Sequence, residues 1–397
     1  MKIIFFTNTI LEHGGGLEKY FIETTHALLL RHPEDQITVV TFNEKRTETL
    51  QHLLSFYYWK KMPIENIYRE KTEDILQKLG GVSYVKCDSF RMLRKVLTQA
   101  DVIYSKNEII DLAILKFFGG YGLPPIIAGI HTPLYFPIAT SFHTKLHNVL
   151  YNSWLYRFLL RQVTAIHAIN KSATEIIRRG RFLGEIFFIP NPFLGKSFRV
   201  IHHSGPEFRV LYAGRISREK GLDVVLGCIH NLLNSRVGEN FRFQVAGTGD
   251  ETYMKKLESL ARTFPNRMTY LGYVPNERIH ELYEWTDVVL APSHFETMPY
   301  VIFEAGASGK LTLASDIPGP QDIILNEETG YLLPLSVDVF TEKLLAIAAA
   351  KARDTQYLSR LSSSIEGHIR DHFSPEIIYQ QFRDMIQKVS GKPKKSL

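Results

Sequence analysis

Short apolar runs alternate with amphipathic segments along the first half of the chain. Runs rich in β-branched residues predict buried parallel strands at residues 3–7, 37–42, 82–86, 101–105, 125–130 and 165–169. Segments with helical periodicity follow several of these runs and end near residues 31, 118 and 179. Such an alternation of strand and helix is typical of a doubly wound α/β sheet.

The same alternation begins again after a polar, turn-rich linker at residues 199–207. Further strands are predicted within residues 208–213, 241–249, 268–274 and 287–292, and a last helix at about residues 375–389. We therefore predict an α/β fold with two Rossmann-like domains, over residues 1–200 and 206–375. The remaining residues, 376–397, hold the last helix and a basic tail.

Two carboxylates flank a predicted helix start just after residue 292. Pro299 suits the first turn of a helix, because its missing N–H has no partner there, and this helix is expected to run to about Ser308. Glu296 lies in the loop before the helix and Glu304 lies on it. The free amides at a helix start attract anionic or hydroxyl-rich ligands, and carboxylates accept hydrogen bonds from sugar hydroxyls. Two solvated surface carboxylates are the alternative interpretation.

Two cationic side chains, Arg215 and Lys220, follow the predicted strand at residues 208–213, and Gly214 and Gly221 stand beside them. Both leave one strand end and its loop, so they can converge on one phosphate group. Fixed cations there would stabilise negative charge that develops on a phosphate group during a reaction. Two ordinary surface bases are the alternative.

Two loops in the first half are further candidates for ligand contacts. The glycine-rich loop at residues 13–19, with Gly15 and Gly16, connects a strand to a helix and could admit phosphate. A tight strand-to-helix turn explains this loop equally well, since it lacks the dinucleotide-binding pattern. His131 follows the strand at residues 125–130, at the edge where open α/β sheets bind ligands, although a structural histidine is the alternative.

These patterns resemble the nucleotide-sugar site of the GT-B glycosyltransferases of the retaining family-4 type. The shared features are the E-x7-E pair, Glu296 and Glu304, and the Gly-Arg-x4-Lys-Gly motif at residues 214–221. The resemblance covers nearly the whole chain but is strong only over residues 208–334. It implies that the two domains face each other across a cleft, and that the last helix crosses back to the first domain.

The resemblance also implies roles for individual residues. Glu304 would hold the ribose hydroxyls and Glu296 the sugar hydroxyls, while Arg215 and Lys220 would handle the diphosphate charge without a metal ion or other cofactor. His131 would lie near the transferred sugar. The loop with Gly15 and Gly16 would lie by the donor phosphates and the acceptor, and Gly214 would belong to the nucleotide-sugar site. Backbone groups at Gly272, Tyr273 and Val274 would contact the base, and those at Met298, Tyr300 and Val301 would contact the diphosphate or sugar.

Three positions depart from the family pattern. Thr297 replaces a usual glycine, and Pro299 removes one backbone donor close to the site. Both changes are expected to alter which sugar fits, because this segment would line the sugar pocket. Lys310 stands where the family often has a proline.

Composition and charge limit the class of protein, its compartment and its partners. The 397 residues are 45% hydrophobic and 22% charged, as in globular soluble proteins, and the two cysteines form no metal or redox spacing. The short apolar start does not fit a signal peptide, and no long apolar run predicts a membrane span, so we expect a cytoplasmic protein. Residues 1–200 hold 25 Lys/Arg and 17 Asp/Glu, a net charge of +8 that suits an anionic ligand or membrane. No nucleic-acid motif is present.

Two segments mix aromatic and basic residues, at positions 56–62 and 142–161. Such a surface can rest on an anionic bilayer from the cytoplasmic side, or it can pack on neighbouring helices. The predicted activity is transfer of a sugar, with retention, from a UDP- or GDP-sugar to a glycan or lipid-linked acceptor, as in polysaccharide assembly. A nucleotide-sugar epimerase, a sugar-phosphate-dependent synthase and a non-catalytic nucleotide-sugar-binding protein remain alternatives.

Overall fold

A computed structural model describes residues 1–13, 16–43, 71–120, 122–131, 133–136, 142–180, 182–193 and 199–391. The chain forms two compact units, one of Met1–Pro190 with Tyr379–Leu397 and one of Asn191–Ile378. The boundary between them therefore lies before Asn191, earlier than the linker at residues 199–207. Gly15, the segment at residues 56–62 and the basic tail from residue 392 lie outside the described residues.

The first unit contains a seven-stranded parallel sheet with the strand order β3-β2-β1-β4-β5-β6-β7. Its strands are β1 Lys2–Phe6, β2 Gln36–Phe42, β3 Ser83–Cys87, β4 Val102–Lys106, β5 Ile126–Ile130, β6 Ala165–Ala168 and β7 Glu185–Phe188. The order reverses between β1 and β4, so the loops at the carboxyl ends of these central strands border the crevice where such sheets bind ligands.

Helices cover this sheet, and they are α1 Gly16–Arg31, α2 Thr72–Leu79, α3 Phe90–Leu97, α4 Ile109–Phe118, α5 Phe142–Tyr151, α6 Trp154–Leu160 and α7 Lys171–Arg179. The last helix of the chain, α14 Pro375–Ser390, also reaches this unit from Tyr379 onward. Its Phe382 packs on Tyr104 of β4 with ring centroids 5.1 Å apart, and Tyr104 packs on Phe5 of β1 at 5.0 Å. All three rings are buried, so the last helix completes the core on this face of the sheet.

The second unit contains a six-stranded parallel sheet with the order β10-β9-β8-β11-β12-β13. Its strands are β8 Phe208–Ala213, β9 Phe241–Ala246, β10 Met268–Gly272, β11 Val288–Ala291, β12 Leu311–Ser315 and β13 Tyr331–Leu333. Its helices are α8 Leu222–Leu233, α9 Glu251–Thr263, α10 Ile279–Trp285, α11 Tyr300–Ala307, α12 Val337–Arg353 and α13 Tyr357–Phe373. The strand order reverses between β8 and β11, which is the second crevice of the molecule.

The prediction of two Rossmann-like α/β units is confirmed, and most predicted strands and helices differ from the observed ones by one or two residues. One correction concerns Pro299, which is the N-cap of α11 and not a residue of its first turn, because its ψ of 110° is extended. The last strand of the first unit, β7, ends at Phe188, before Pro190 and Pro192. Among the described residues, no helix has the length and apolarity to cross a bilayer.

Candidate functional site

A cavity of about 400 Å³ lies in the second unit, at the carboxyl ends of β8, β9 and β11. Ala213 and Gly214 line it from the end of β8, and Leu290 and Ala291 from β11, so it occupies the crevice at the reversal of strand order. Nine of the residues predicted from the sequence line this cavity: Gly214, Lys220, Tyr273, Val274, Glu296, Met298, Tyr300, Val301 and Glu304. The second unit thus brings together residues that are up to 90 positions apart in the chain.

Lys220 and Glu296 form the charged centre of the cavity. The Lys220 Nζ donates to Glu296 Oε1 at 2.5 Å, and the Ser293 hydroxyl donates to the same oxygen at 3.1 Å. The side chains of Lys220 and Glu296 are 23% and 11% exposed. The pair is therefore largely shielded from water. Coulomb interactions are stronger at such a site than at the protein surface.

Gly221 allows the loop that carries Lys220 to reach this position. Its φ is +77°, and a Cβ atom there would lie 1.8 Å from the carbonyl oxygen of Pro292. Only glycine has both the left-handed conformation and the space that this contact requires. The loop after β8 therefore meets the chain after β11 directly, which places Lys220 beside Glu296.

Glu304 lies on α11 with its carboxylate directed to a buried tyrosine. The Tyr283 hydroxyl donates to Glu304 Oε2 at 2.6 Å, and Tyr283 is fully buried. Burial raises the pKa of Glu304, while the hydrogen bond from Tyr283 opposes this rise. The Tyr283 bond orients the carboxylate, and no hydrogen bond to the other oxygen, Oε1, is formed by the described residues.

Arg215 and Gly272 do not line the cavity, unlike the other predicted residues of this unit. The Arg215 side chain is exposed and forms no hydrogen bond or ion pair with the described residues. The Arg215 carbonyl accepts a hydrogen bond of 2.8 Å from the hydroxyl of Tyr212. Arg215 is thus held near the cavity by its backbone, whereas its guanidinium remains in solvent.

The structure also reveals lining residues that had no predicted role. Tyr212, Gly247 and Ser293 line the cavity, and Ser293 contacts the Glu296 carboxylate. Ser293 stands three residues before Glu296, just after a strand end. This position is the one sequence feature from which a role for Ser293 could have been predicted. Tyr212 alternates with the other apolar residues of β8, so its sequence position is indistinguishable from that of a core residue.

Asp287 and Lys310 have structural roles away from the cavity. Asp287 accepts hydrogen bonds from the Arg209 amide at 2.9 Å and from Lys351 at 2.7 Å, where it precedes β11. Lys310 is buried and donates to the carbonyl of Ile201. Burial lowers the pKa of Lys310 to about 8. Lys310, which stands where the family often has a proline, therefore anchors the linker and does not line the cavity.

The predicted residues Gly16 and His131 belong to the first unit. Gly16 is the first residue of α1, and His131 directly follows β5. His131 Nε2 lies 2.8 Å from the Tyr104 hydroxyl, and burial, together with nearby His167 and Lys106, holds the pKa of His131 well below its usual range. His131 is therefore a neutral imidazole near pH 7.

Comparisons with known proteins agree with the geometry of the second unit. Residues 196–357 match the family model described as glycosyl transferases group 1. The chain is 26% identical over 284 residues to the glycogen synthase of Mycobacterium tuberculosis, covering 67% of this chain and 65% of the relative. It is 28% identical over 188 residues to the lipopolysaccharide 1,2-N-acetylglucosaminetransferase of Salmonella typhimurium, covering 45% of this chain and 48% of that relative. In both cases the match spans less than two thirds of the relative's length.

Solved structures match over a larger share of the chain. The Anabaena protein HepE, crystallised in complex with UDP, has a TM-score of 0.66 and 18% identity, over 98% of this chain and 100% of its own. This likeness supports the predicted GT-B fold. The prediction of a glycosyltransferase-type enzyme is confirmed at the level of the domain at residues 196–357, by the family model and by the named relatives.

Proposed function

We propose that the chain is a retaining glycosyltransferase of the family-4 type, which transfers a sugar from a nucleoside-diphosphate sugar to a glycan or lipid-linked acceptor. The observation that carries the proposal is the shielded Lys220–Glu296 pair, together with Glu304, in one cavity at a sheet crevice. A cation, two carboxylates and a helix start within one cavity offer partners for a diphosphate, a ribose and a sugar at the same time.

Different lining residues of the cavity suit different parts of a nucleotide sugar. Glu304 has one carboxylate oxygen oriented by Tyr283 and can accept hydrogen bonds from ribose hydroxyls with the other. Lys220 and the first turn of α11, where Val301 lines the cavity, would contact the diphosphate. The Anabaena neighbour was crystallised with UDP and with UDP-glucose, which supports a nucleoside-diphosphate sugar as the donor of this chain.

Lys220 would change partners during the reaction. In the free protein its charge is balanced by Glu296 at 2.5 Å. As the bond between the anomeric carbon and the diphosphate breaks, negative charge develops on the departing oxygen and Lys220 stabilises it. The acceptor hydroxyl forms the new bond on the same face, and its proton passes to the departing phosphate. Arg215, whose guanidinium is in solvent, can join Lys220 at the diphosphate, so the proposed mechanism requires no metal ion.

An exposed aromatic and basic surface supports a lipid-linked acceptor at an anionic membrane. Trp154 of α6 is 76% exposed and Phe142 of α5 is 69% exposed. Lys116 lies over the ring of Phe158 at 5.3 Å, and Arg157 of α6 is exposed. Residues 142–160 include no Asp or Glu. Aromatic and cationic side chains without acidic neighbours favour the interface of an anionic bilayer.

Transfer and its stereochemistry test the proposed activity. Purified protein would be incubated with UDP-, GDP- and ADP-sugars and a lipid-linked acceptor, with EDTA present, and the anomeric configuration of the product read by proton NMR. We expect one nucleotide series to react with retention of configuration. An inverted product, or an epimerised donor sugar formed without acceptor, would contradict the proposal.

Binding to vesicles tests the membrane proposal separately. We expect the protein to sediment with vesicles that contain phosphatidylglycerol but not with vesicles of phosphatidylcholine alone. Trp154→Ser and Arg157→Glu should each reduce this binding. The control is Arg179→Glu, at an arginine that is 82% exposed on α7 of the same unit. An equal loss in all three variants would indicate a general charge effect and not a defined surface.

A further inference from the structure

A buried hydrogen-bond chain connects three strands of the first unit and ends at His131. The hydroxyl of Tyr104, on β4, lies 2.8 Å from His131 Nε2 and 2.7 Å from His167 Nδ1. His167, on β6, places its Nε2 2.8 Å from the carbonyl oxygen of Ile189. Tyr104 and His167 are almost completely buried, so each of these polar groups requires a hydrogen-bond partner.

The absence of a side chain at Gly129 lets this chain cross the sheet. Gly129 lies on β5, between β4 and β6, and pairs with His167 in the strand register. A Cβ atom at Gly129 would lie 2.1 Å from the Tyr104 hydroxyl and 2.8 Å from His131 Nε2. Tyr104 therefore reaches across the middle strand over the bare backbone of Gly129, and any larger residue would displace it.

The direction of each hydrogen bond follows from one acceptor. A carbonyl oxygen cannot donate, so the proton on His167 lies on Nε2, facing Ile189. Burial lowers the pKa of His167 to about 4, so its Nδ1 has no proton near pH 7. Tyr104 must then donate its single proton to His167. Burial also holds the pKa of Tyr104 well above its usual range, so that proton is retained.

The hydrogen-bond directions of Tyr104 and His167 determine the tautomer of His131. Because the Tyr104 proton is directed at His167, the Tyr104 oxygen can only accept from His131, whose proton must lie on Nε2. The Tyr104 oxygen has two lone pairs, so it can accept one further hydrogen bond besides that from His131. His131 Nδ1 is then unprotonated, and no described residue donates to it.

We infer that Tyr104 and His167 are positioning residues that make His131 Nδ1 a hydrogen-bond acceptor for a substrate hydroxyl. The inference rests on the proposed function for the identity of that substrate, a sugar or glycan acceptor. A neutral nitrogen with a free lone pair accepts from an O–H group, but it offers no proton to a phosphate or carboxylate oxygen. His131 thus recognises a hydroxyl and not an anionic group.

The tautomer can be measured in the free protein, without substrate. Nitrogen-15 labelled histidine would be introduced, and the two ring nitrogens of His131 would be assigned by the loss of its signals in His131→Gln. We expect a protonated Nε2 and an unprotonated Nδ1 at pH 7. Tyr104→Phe should remove this preference, whereas Tyr156→Phe should leave it unchanged. Tyr156 is the matched control, because it is also buried and its hydroxyl also takes part in a side-chain hydrogen bond, which it accepts from Asn107 Nδ2 at 2.5 Å.

Kinetic comparison of two His131 variants tests the acceptor role. The side-chain oxygen of asparagine can occupy the place of Nδ1, whereas glutamine reaches only the place of Nε2. We therefore expect His131→Asn to retain more transfer than His131→Gln, and Tyr104→Phe to lower kcat/KM about fivefold to tenfold.

The outcomes separate this inference from the proposed function. A protonated Nδ1 in the wild-type protein would overturn the inference, whatever the protein transfers. Equal transfer by the wild-type protein and Tyr104→Phe, with the expected tautomer, would overturn the positioning role. The expected tautomer in a protein that transfers no sugar would support the hydrogen-bond chain but contradict the proposed function.

Discussion

The cavity of the second unit and the His131 region of the first unit hold their polar side chains by different interactions. In the cavity, the groups are ionic: Lys220 contacts Glu296 at 2.5 Å, and both remain partly exposed. The hydrogen-bond chain at His131 consists of neutral groups, and Tyr104 and His167 are almost completely buried. The first arrangement holds charge, whereas the second sets the direction of hydrogen bonds.

This difference matches the chemistry proposed for the two regions. A departing diphosphate develops negative charge, which a fixed cation stabilises. A hydroxyl is recognised by direction, since its partner must present either a lone pair or a proton. Mutations in the cavity should therefore act through charge, and mutations near His131 through tautomer and geometry.

The largest expected effect is at the cationic centre. Lys220→Ala and Glu296→Ala should each lower kcat by roughly 100-fold to 1,000-fold, because each removes a fixed group that contacts the reacting part of the donor. Lys255→Ala, at an exposed lysine on α9 of the same unit, is the control and should leave kcat unchanged. Steady-state kinetics would measure kcat for the cavity variants and the control. Near-normal turnover by Lys220→Ala would show that the charge of Lys220 does not stabilise the reacting donor.

Gly221→Ala tests whether the loop position depends on close approach. The added Cβ would lie 1.8 Å from the Pro292 carbonyl, so we expect a loss of about 3 kcal/mol of unfolding free energy and weaker donor binding. Gly205→Ala is the matched control, because Gly205 also has a positive φ but no atom within 4 Å of its added Cβ. Similar losses of unfolding free energy for both variants, measured by urea denaturation, would show that the positive φ alone causes the loss and that the close approach to Pro292 does not contribute.

Acid should weaken the first unit through His167. Its pKa is about 4 in the folded protein and near 6.5 when unfolded, so the unfolded state binds more protons between these values. Stability should fall as pH decreases through that window, by about 2 kcal/mol between pH 7 and pH 5. Urea denaturation of His167→Gln should lack this component. His280→Gln, at an exposed histidine, should retain the wild-type pH dependence.

The smallest effect is expected at the ribose contact. Glu304→Gln keeps the shape of the side chain but replaces a charged acceptor, so donor affinity should fall about tenfold with little change in kcat. Glu258→Gln, at an exposed glutamate of α9, is the control. A large fall in kcat with unchanged KM would place Glu304 at the reacting centre and not at the nucleotide.

The same comparison shows what could be predicted from the sequence. The cavity residues follow strand ends in short motifs, and loops at the carboxyl ends of neighbouring parallel strands converge in space. Lys220, Glu296 and Glu304 were therefore accessible to sequence reasoning. The solvent-directed guanidinium of Arg215 was not, because a motif specifies which residue is present but not its rotamer.

The hydrogen-bond chain at His131 was inaccessible for another reason. Tyr104, Gly129 and His167 lie on three different strands, and their contact depends on the register of two strand pairs. Each residue alone has an ordinary position in an apolar run. Pro299 shows the same limit on a local scale, since proline occurs both at helix N-caps and in first turns, and only its ψ distinguishes the two.

Calorimetric titration of donor nucleotides tests the central claim most directly, namely that the cavity around Lys220, Glu296 and Glu304 holds a nucleoside-diphosphate sugar. UDP, GDP and ADP would be titrated into the wild-type protein, Lys220→Ala and Glu304→Gln in the presence of EDTA, with Lys255→Ala as the control. The account predicts that one nucleotide binds the wild-type protein and Lys255→Ala equally, and both cavity variants at least tenfold more weakly. Equal affinity for all four proteins, or no binding to any of them, would contradict it.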